Sequence, residues 1–176
     1  LQVALIQGTE DTVLDPETAQ QRASDTFNQY WRLTLDVVEK HDDIDLIVWP
    51  EGVFSGNVPQ LVTEGQVLAP PESNLTPADV EQIIKQRMSL FDEKTSMIAK
   101  LANRATADSD QASHQTHLLV GGDAVVLSGT AQRSYNSAFL ISPDGEVPGR
   151  YDKMHRVLIG EYVPFGEQFP WLYNLM

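Results

Sequence analysis

Two stretches of the sequence place charged side chains where chemistry could be done. In Val48-Trp49-Pro50-Glu51 a carboxylate follows directly on an apolar run, and Pro50 fixes the backbone angle just before it. The carboxyl ends of strands in open α/β sheets are where ligands bind, so Glu51 is a candidate general base. The same residues also fit a loop-capping or helix N-cap glutamate. In the second stretch, Tyr151-Asp152-Lys153 leads to Gly160-Glu161-Tyr162-Val163-Pro164, which brings a lysine at a strand end and a second carboxylate toward one place. Held between carboxylates, a lysine ammonium stays protonated and can stabilise an oxyanion. A solvated basic turn would account for the segment taken alone.

Other chemistries find less support. The chain has no cysteine, which removes disulfides, thiolate zinc sites and any thiol nucleophile within these 176 residues. His114 and His117 lie three apart at a loop-to-strand junction with no third ligand in view, and we expect surface histidines rather than a metal pair. His155 either lines the site near Lys153 or packs. There is no phosphate-binding P-loop, no GxGxxG and no GxSxG elbow, and no cofactor is expected. Asn74-Leu75-Thr76 is a formal glycosylation sequon, but Thr76 has a better use as a helix cap. Phe54, Val58 and Leu61 are either exposed apolar positions that meet lipid or ordinary loop packing. With 25 acidic and 12 basic residues the net charge is −13, which argues against nucleic acid as a partner. No window approaches the roughly 18 to 20 consecutive apolar residues of a membrane-spanning helix.

The elements that must position Glu51 and Lys153 follow from the hydrophobic pattern. Leu1 to Gln7 is a short β-compatible run. Asp15-Pro16-Glu17 then opens a helix to about residue 40, with Ala19, Ala23, Phe27, Tyr30, Trp31, Thr34 and Val38 on its apolar face. Ile44 to Trp49 is too short and too uniformly apolar for a surface element and predicts a buried parallel strand. Strand, helix and strand in this order form a βαβ unit, hence an α/β layered fold. Gly52 to Ser73 carries prolines and glycines without a period and is expected to be a long loop bordering the site. A second helix runs from a cap at Thr76 to about Arg104, and Ala107 to Thr116 is a surface loop. Leu118 to Leu127, Tyr135 to Ser142 and Glu146 to Asp152 predict a β-meander, its last turn at Pro143-Asp144-Gly145.

Three blocks together resemble the carbon–nitrogen hydrolase (nitrilase) superfamily: Asp45-Leu46-Ile47-Val48-Trp49-Pro50-Glu51; Tyr135-Asn136-Ser137-Ala138 with Pro143-Asp144-Gly145; and Tyr151-Asp152-Lys153 leading to Gly160-Glu161-Tyr162-Val163-Pro164. The opening Val3-Ala4-Leu5-Ile6-Gln7-Gly8, the strand Leu118-Leu119-Val120-Gly121-Gly122 and the phrase Gly-Glu-Tyr-Val-Pro are most similar to the apolipoprotein N-acyltransferase branch and its periplasmic domain. The resemblance implies a four-layer αββα sandwich, incomplete here, with residues 1–176 as one domain. It implies a Glu-Lys-Cys triad in which Glu51 is the general base, Lys153 the oxyanion-stabilising lysine and Glu161 an additional glutamate. The nucleophilic cysteine is expected on the order of 50 residues beyond Lys153, outside this chain. The chain starts in an apolar run at Leu1 and stops in the aromatic stretch Phe169 to Met176, so we expect sequence on both sides of it.

As function, the resemblance implies transfer of an acyl chain from phospholipid to the N-terminal cysteine amine of an apolipoprotein through a cysteine thioester. It places the protein in a bacterial inner membrane, with this domain facing the periplasm, itself soluble and anchored by helices outside the chain. A soluble amidase or nitrilase, and a non-catalytic nitrilase-like binding module, are the alternatives. One departure stands out. The family lysine is commonly followed by Leu-Val-Pro-Phe before Gly-Glu, whereas Arg156-Val157-Leu158-Ile159 stands here and Pro-Phe-Gly-Glu comes only at Pro164 to Glu167. Either Glu161 or Glu167 could face the lysine, and Glu161 is favoured.

Overall fold

The computed structural model describes residues 1–8, 19–54, 56, 58–103 and 115–154. Their elements, in chain order, are β1 (Val3–Leu5), α1 (Ala19–Lys40), β2 (Leu46–Val48), β3 (Gln60–Val67), α2 (Pro77–Ala102), β4 (His117–Gly129), β5 (Ala131–Ile141) and β6 (Gly149–Asp152). Strands β1, β2, β4, β5 and β6 lie side by side in that order, and β3 also pairs with β4. The pairs β1–β2, β2–β4 and β3–β4 are parallel, whereas β4–β5 and β5–β6 are antiparallel. A βαβ unit joined to a meander is thus what the chain forms, and the fold is α/β.

Helix α2 has a local cause at each end, whereas the Asp15-Pro16-Glu17 opening expected for α1 lies outside the described residues. Thr76 accepts the Asp79 N–H while the Asp79 carboxylate accepts the Thr76 N–H, a reciprocal capping box with Pro77 in the first helical position. That satisfies donors the first turn of α2 cannot satisfy itself, and confirms the use of Thr76 as a cap. At the other end, the Asn103 side chain donates to Ala99 O and Thr116 O and accepts the Thr116 N–H. It caps α2 and ties it to the residue that leads into β4.

Both helices pack on one face of the sheet. Tyr30, Thr34 and Val38 of α1 are buried at four-residue spacing, and Phe91, Thr95, Ile98, Ala99 and Ala102 of α2 meet them over Ile47, Leu118, Val120, Phe139 and Ile141. Alternation along the strands sends Leu119, Ala138, Leu140 and Tyr151 to the opposite face. That face is open: Leu5 is 76% and Tyr151 63% exposed. The described residues therefore supply one sheet with helices on one side. The second sheet of a four-layer sandwich is not among them.

The region from Gly52 to Ser73 is not the uninterrupted loop that its prolines and glycines suggest, because β3 lies within it. Among the described residues β3 is an edge strand, paired through β4 alone, and its register slips between Thr63 and Val67 around Gly65, at φ 75°. An edge strand with a bulge exposes most of its side chains and loses the alternation by which strands are recognised.

Aromatic rings join the layers. Phe27, Trp49, Phe54, Phe91 and Phe139 follow one another with centroids 5.4 to 6.4 Å apart. Trp49 is fixed further by its indole N–H, which donates to Thr34 Oγ1 at 3.0 Å inside the core. Thr34→Val keeps the volume but leaves that donor without its acceptor. It is expected to lower stability by about 1–3 kcal/mol, read from the urea midpoint at unchanged m.

Candidate active site

The position of Glu51 is set by a break in strand pairing. Both β2 and β3 run along the same edge of β4. Val48 is opposite Leu119, and the Trp49 N–H still donates to Leu119 O at 2.9 Å. The chain then turns through residues 51–54, with Gly52 at φ 75°, and β3 rejoins β4 at Gln60 opposite Ala124. Within the break, the Phe54 N–H donates to Gly121 O at 2.9 Å, which holds the turn onto the strand. Gly121 is required there. A β-carbon on it would stand 2.5 Å from Glu51 Cα and 2.6 Å from Pro50 O, closer than any side chain tolerates.

Lys153 reaches Glu51 through Asn136. The Lys153 N–H donates to Asn136 O at 2.8 Å, extending the β5–β6 ladder by one step past Asp152 opposite Ser137. The Asn136 side chain donates to Glu51 Oε1 at 2.5 Å, and Lys153 Nζ donates to the same oxygen at 2.9 Å. Asn136 thus holds the lysine by its backbone and the glutamate by its amide. Among the described residues, these two donors meet the Glu51 carboxylate at the same oxygen, Oε1.

Stability does not account for this cluster. The side chains of Lys153 and Glu51 are 28% and 55% exposed, and ion pairs so exposed contribute about 0–1 kcal/mol. The cluster borders an open cavity of about 340 Å³ whose floor includes Leu119, Ala138 and Tyr151. A larger depression of about 700 Å³ shares Asn136, Tyr151 and Lys153 and extends to Arg150 and Met154. A carboxylate beside an ammonium over an apolar floor can exchange a proton with a seated reactant while the ammonium faces developing negative charge.

Of the residues singled out in the sequence, Glu51 and Lys153 come together. Glu161, the competing Glu167, His155 and His114 lie outside the described residues. His117 begins β4, and its N–H donates to Asp45 O. Phe54 is fully buried and Leu61 nearly so, while Val58 packs against the core. These three are packing residues, and the reading of them as exposed lipid contacts is set aside. Asn136 stands in the sequence only as part of a motif. The signal that could have found it is a neutral amide in Tyr135-Asn136-Ser137-Ala138, the strand that runs beside the lysine's strand.

The chain is similar to known proteins along most of its length. The carbon-nitrogen hydrolase family profile matches residues 2–172. An apolipoprotein N-acyltransferase of Rhodopirellula baltica is 25% identical over 181 residues, covering 99% of this chain and 31% of that protein. One of Geobacter metallireducens is 44% identical over 62 residues, 35% of this chain and 12% of that protein. The chain therefore spans less than a third of the length of these relatives. Among solved structures, an N-terminal amidase with Asn-Glu-Ala peptide aligns with a TM-score of 0.45 and 16% identity, covering 88% of this chain and 28% of that one.

Gly121→Ala tests the close approach directly. The added methyl must push the Pro50–Glu51 backbone away, so the variant is expected to lose about 1–3 kcal/mol in urea unfolding. The Asn136 side-chain amide should also shift in its NMR spectrum as Glu51 moves off it. An unchanged amide signal would contradict the contact.

Proposed function

The chain belongs to the carbon-nitrogen hydrolase family, and from that premise we propose that it carries the base and the oxyanion-stabilising lysine of an acyl-transfer centre, in a protein that acylates the N-terminal amine of apolipoproteins. The observation that carries this reading is the convergence of Lys153 Nζ and Asn136 Nδ2 on Glu51 Oε1 beside an apolar-floored cavity. The similarity to proteins named apolipoprotein N-acyltransferase, one of them along 99% of the chain, supports the branch.

In this reading Glu51 takes the proton of a cysteine thiol supplied by residues outside the 176 described by this sequence. The thiolate attacks the carbonyl carbon of a phospholipid acyl ester. The carbonyl oxygen becomes an oxyanion facing Lys153, and its collapse expels the lysophospholipid alkoxide, which takes a proton from Glu51. A thioester remains. The free amine of the acceptor's lipid-modified N-terminal cysteine then attacks it, passes a proton to Glu51, and the thiol is released carrying that proton. Glu161 would complete the charge environment of Lys153. Transfer prevails over hydrolysis only where water is kept from the thioester, which suits a domain held at the periplasmic face of a bacterial inner membrane by helices elsewhere in the protein. Among the described residues, no helix is long and apolar enough to cross a membrane.

The test uses the intact protein, a phospholipid donor and a diacylated lipopeptide acceptor. Glu51→Gln and Lys153→Met should each lower the transfer rate by about 100-fold or more, while Glu51→Gln changes the urea stability by less than about 1 kcal/mol. Full transfer activity in Glu51→Gln would refute the assignment. Turnover of simple amides without any transfer to the lipopeptide would move the protein to the amidases.

A further inference from the structure

Lys94 stands where the apolar face of α2 calls for a hydrophobic residue, since Phe91, Lys94, Thr95 and Ile98 follow the helical spacing of a buried stripe. Its ammonium donates to the Phe54 carbonyl and lies 4.3 Å from the ring centroid of Phe27 and 5.0 Å from that of Phe54. The position a β-carbon would take on Gly56, two residues further along the turn, is 3.8 Å from the same nitrogen. Burial lowers the Lys94 pKa to about 8, so the ammonium still predominates at neutral pH. Burying that charge opposes folding, and a methionine would fill the space without the cost.

The contacts of Lys94 show what the charge does. Phe54 is held on both sides, its N–H by Gly121 of β4 and its C=O by Lys94 of α2. Three residues upstream on the same turn is Glu51, whose carboxylate meets Lys153 on the open side of the sheet. Two lysines thus grip one turn from opposite faces, one by its backbone and the other by its functional group.

We propose that Lys94 is a positioning residue: by its hydrogen bond to the Phe54 carbonyl and its seat over Phe27 and Phe54, it fixes the turn that carries Glu51 and so aligns the Glu51 carboxylate with Lys153. The inference rests on the reading of Glu51 as general base. It makes Lys94 part of the machinery without contact with substrate.

The experiment compares Lys94→Met, Lys94→Gln and Lys94→Arg in the intact protein with the same donor and lipopeptide. Lys94→Met should lower kcat about tenfold with KM within about twofold, and Lys94→Arg, which keeps the cation, should restore most of the loss. The amide of Phe54 should exchange with deuterium about tenfold faster in Lys94→Met, while those of Val120 and Phe139 do not change. Combined with Glu51→Gln, Lys94→Met should add no further loss, because its effect passes through Glu51. A folded Lys94→Met with unchanged kcat overturns the proposal, and so does a loss that is fully additive with Glu51→Gln. Should Lys94→Met fail to fold, the Lys94→Gln and Lys94→Arg pair decides by the same criteria. Full activity in Glu51→Gln alone would instead remove the general base on which the inference rests, a result distinct from a Glu51-dependent enzyme indifferent to Lys94.

Discussion

The backbone of Pro50 and Glu51 lies against Gly121 with no room for a β-carbon between them, and the arrangement of the site depends on that approach. A chain leaving β2 would ordinarily rise away from the sheet. Here the peptide lies flat on β4, which lets the Phe54 N–H reach Gly121 O and carries the Glu51 side chain along the sheet toward β5. Asn136, on the neighbouring strand, is then within reach of the carboxylate, and the β5–β6 ladder delivers Lys153 to the same oxygen. The site is assembled from β2, β4, β5 and β6 by backbone register, and the approach at Gly121 sets its limit on side-chain size.

The core supplies the rigidity this register needs. Trp49 and Phe54 flank Glu51 in sequence and both sink into the helix-covered face, where Thr34, Phe27 and Phe91 hold them. Glu51 therefore sits on a short arch whose two feet are embedded in packed aromatic rings, so its exposure does not make it mobile. A carboxylate on an exposed loop would spend its time solvated in many orientations. One on such an arch presents a single geometry to a reactant, which is the pre-organisation that proton transfer requires.

Much of this was legible in the sequence. The helices followed from their period and from the Thr76 cap, and the βαβ unit and meander followed from apolar runs of strand length separated by polar turns. Glu51 and Lys153, 102 residues apart, each stand at a strand end, and it is the resemblance to the carbon–nitrogen hydrolases that pairs them. Three features escaped, each for a physical reason. β3 carries Thr63, Glu64 and Gln66 outward and bends at Gly65, so an edge strand looked like a loop. Asn136 is neutral and leaves no charge pattern, and only the fold shows that its amide donates to Glu51 while its backbone carbonyl accepts the Lys153 N–H. Phe54 was equally compatible with lipid contact and packing until its neighbours in α1 and α2 were known. Lys94 did leave a trace, a cation at an apolar position of a helical stripe, but a long lysine stem at such a position is common on helix surfaces.

The shared edge of β4 also makes the active turn a measured length of chain. From Val48, opposite Leu119, to Gln60, opposite Ala124, the chain takes twelve steps where β4 takes five. Both ends are pinned, so the surplus is a closed quantity stored between two fixed marks. Residues added after Phe54 would only enlarge the outer part of the arch, a change a homologue could absorb. A residue added between Val48 and Glu51 would move the carboxylate off Asn136, because the Pro50–Glu51 backbone lies against Gly121 without slack. Sequence drift in this region is therefore expected to be lopsided, with length free to vary downstream of the aromatic foot and frozen upstream of it.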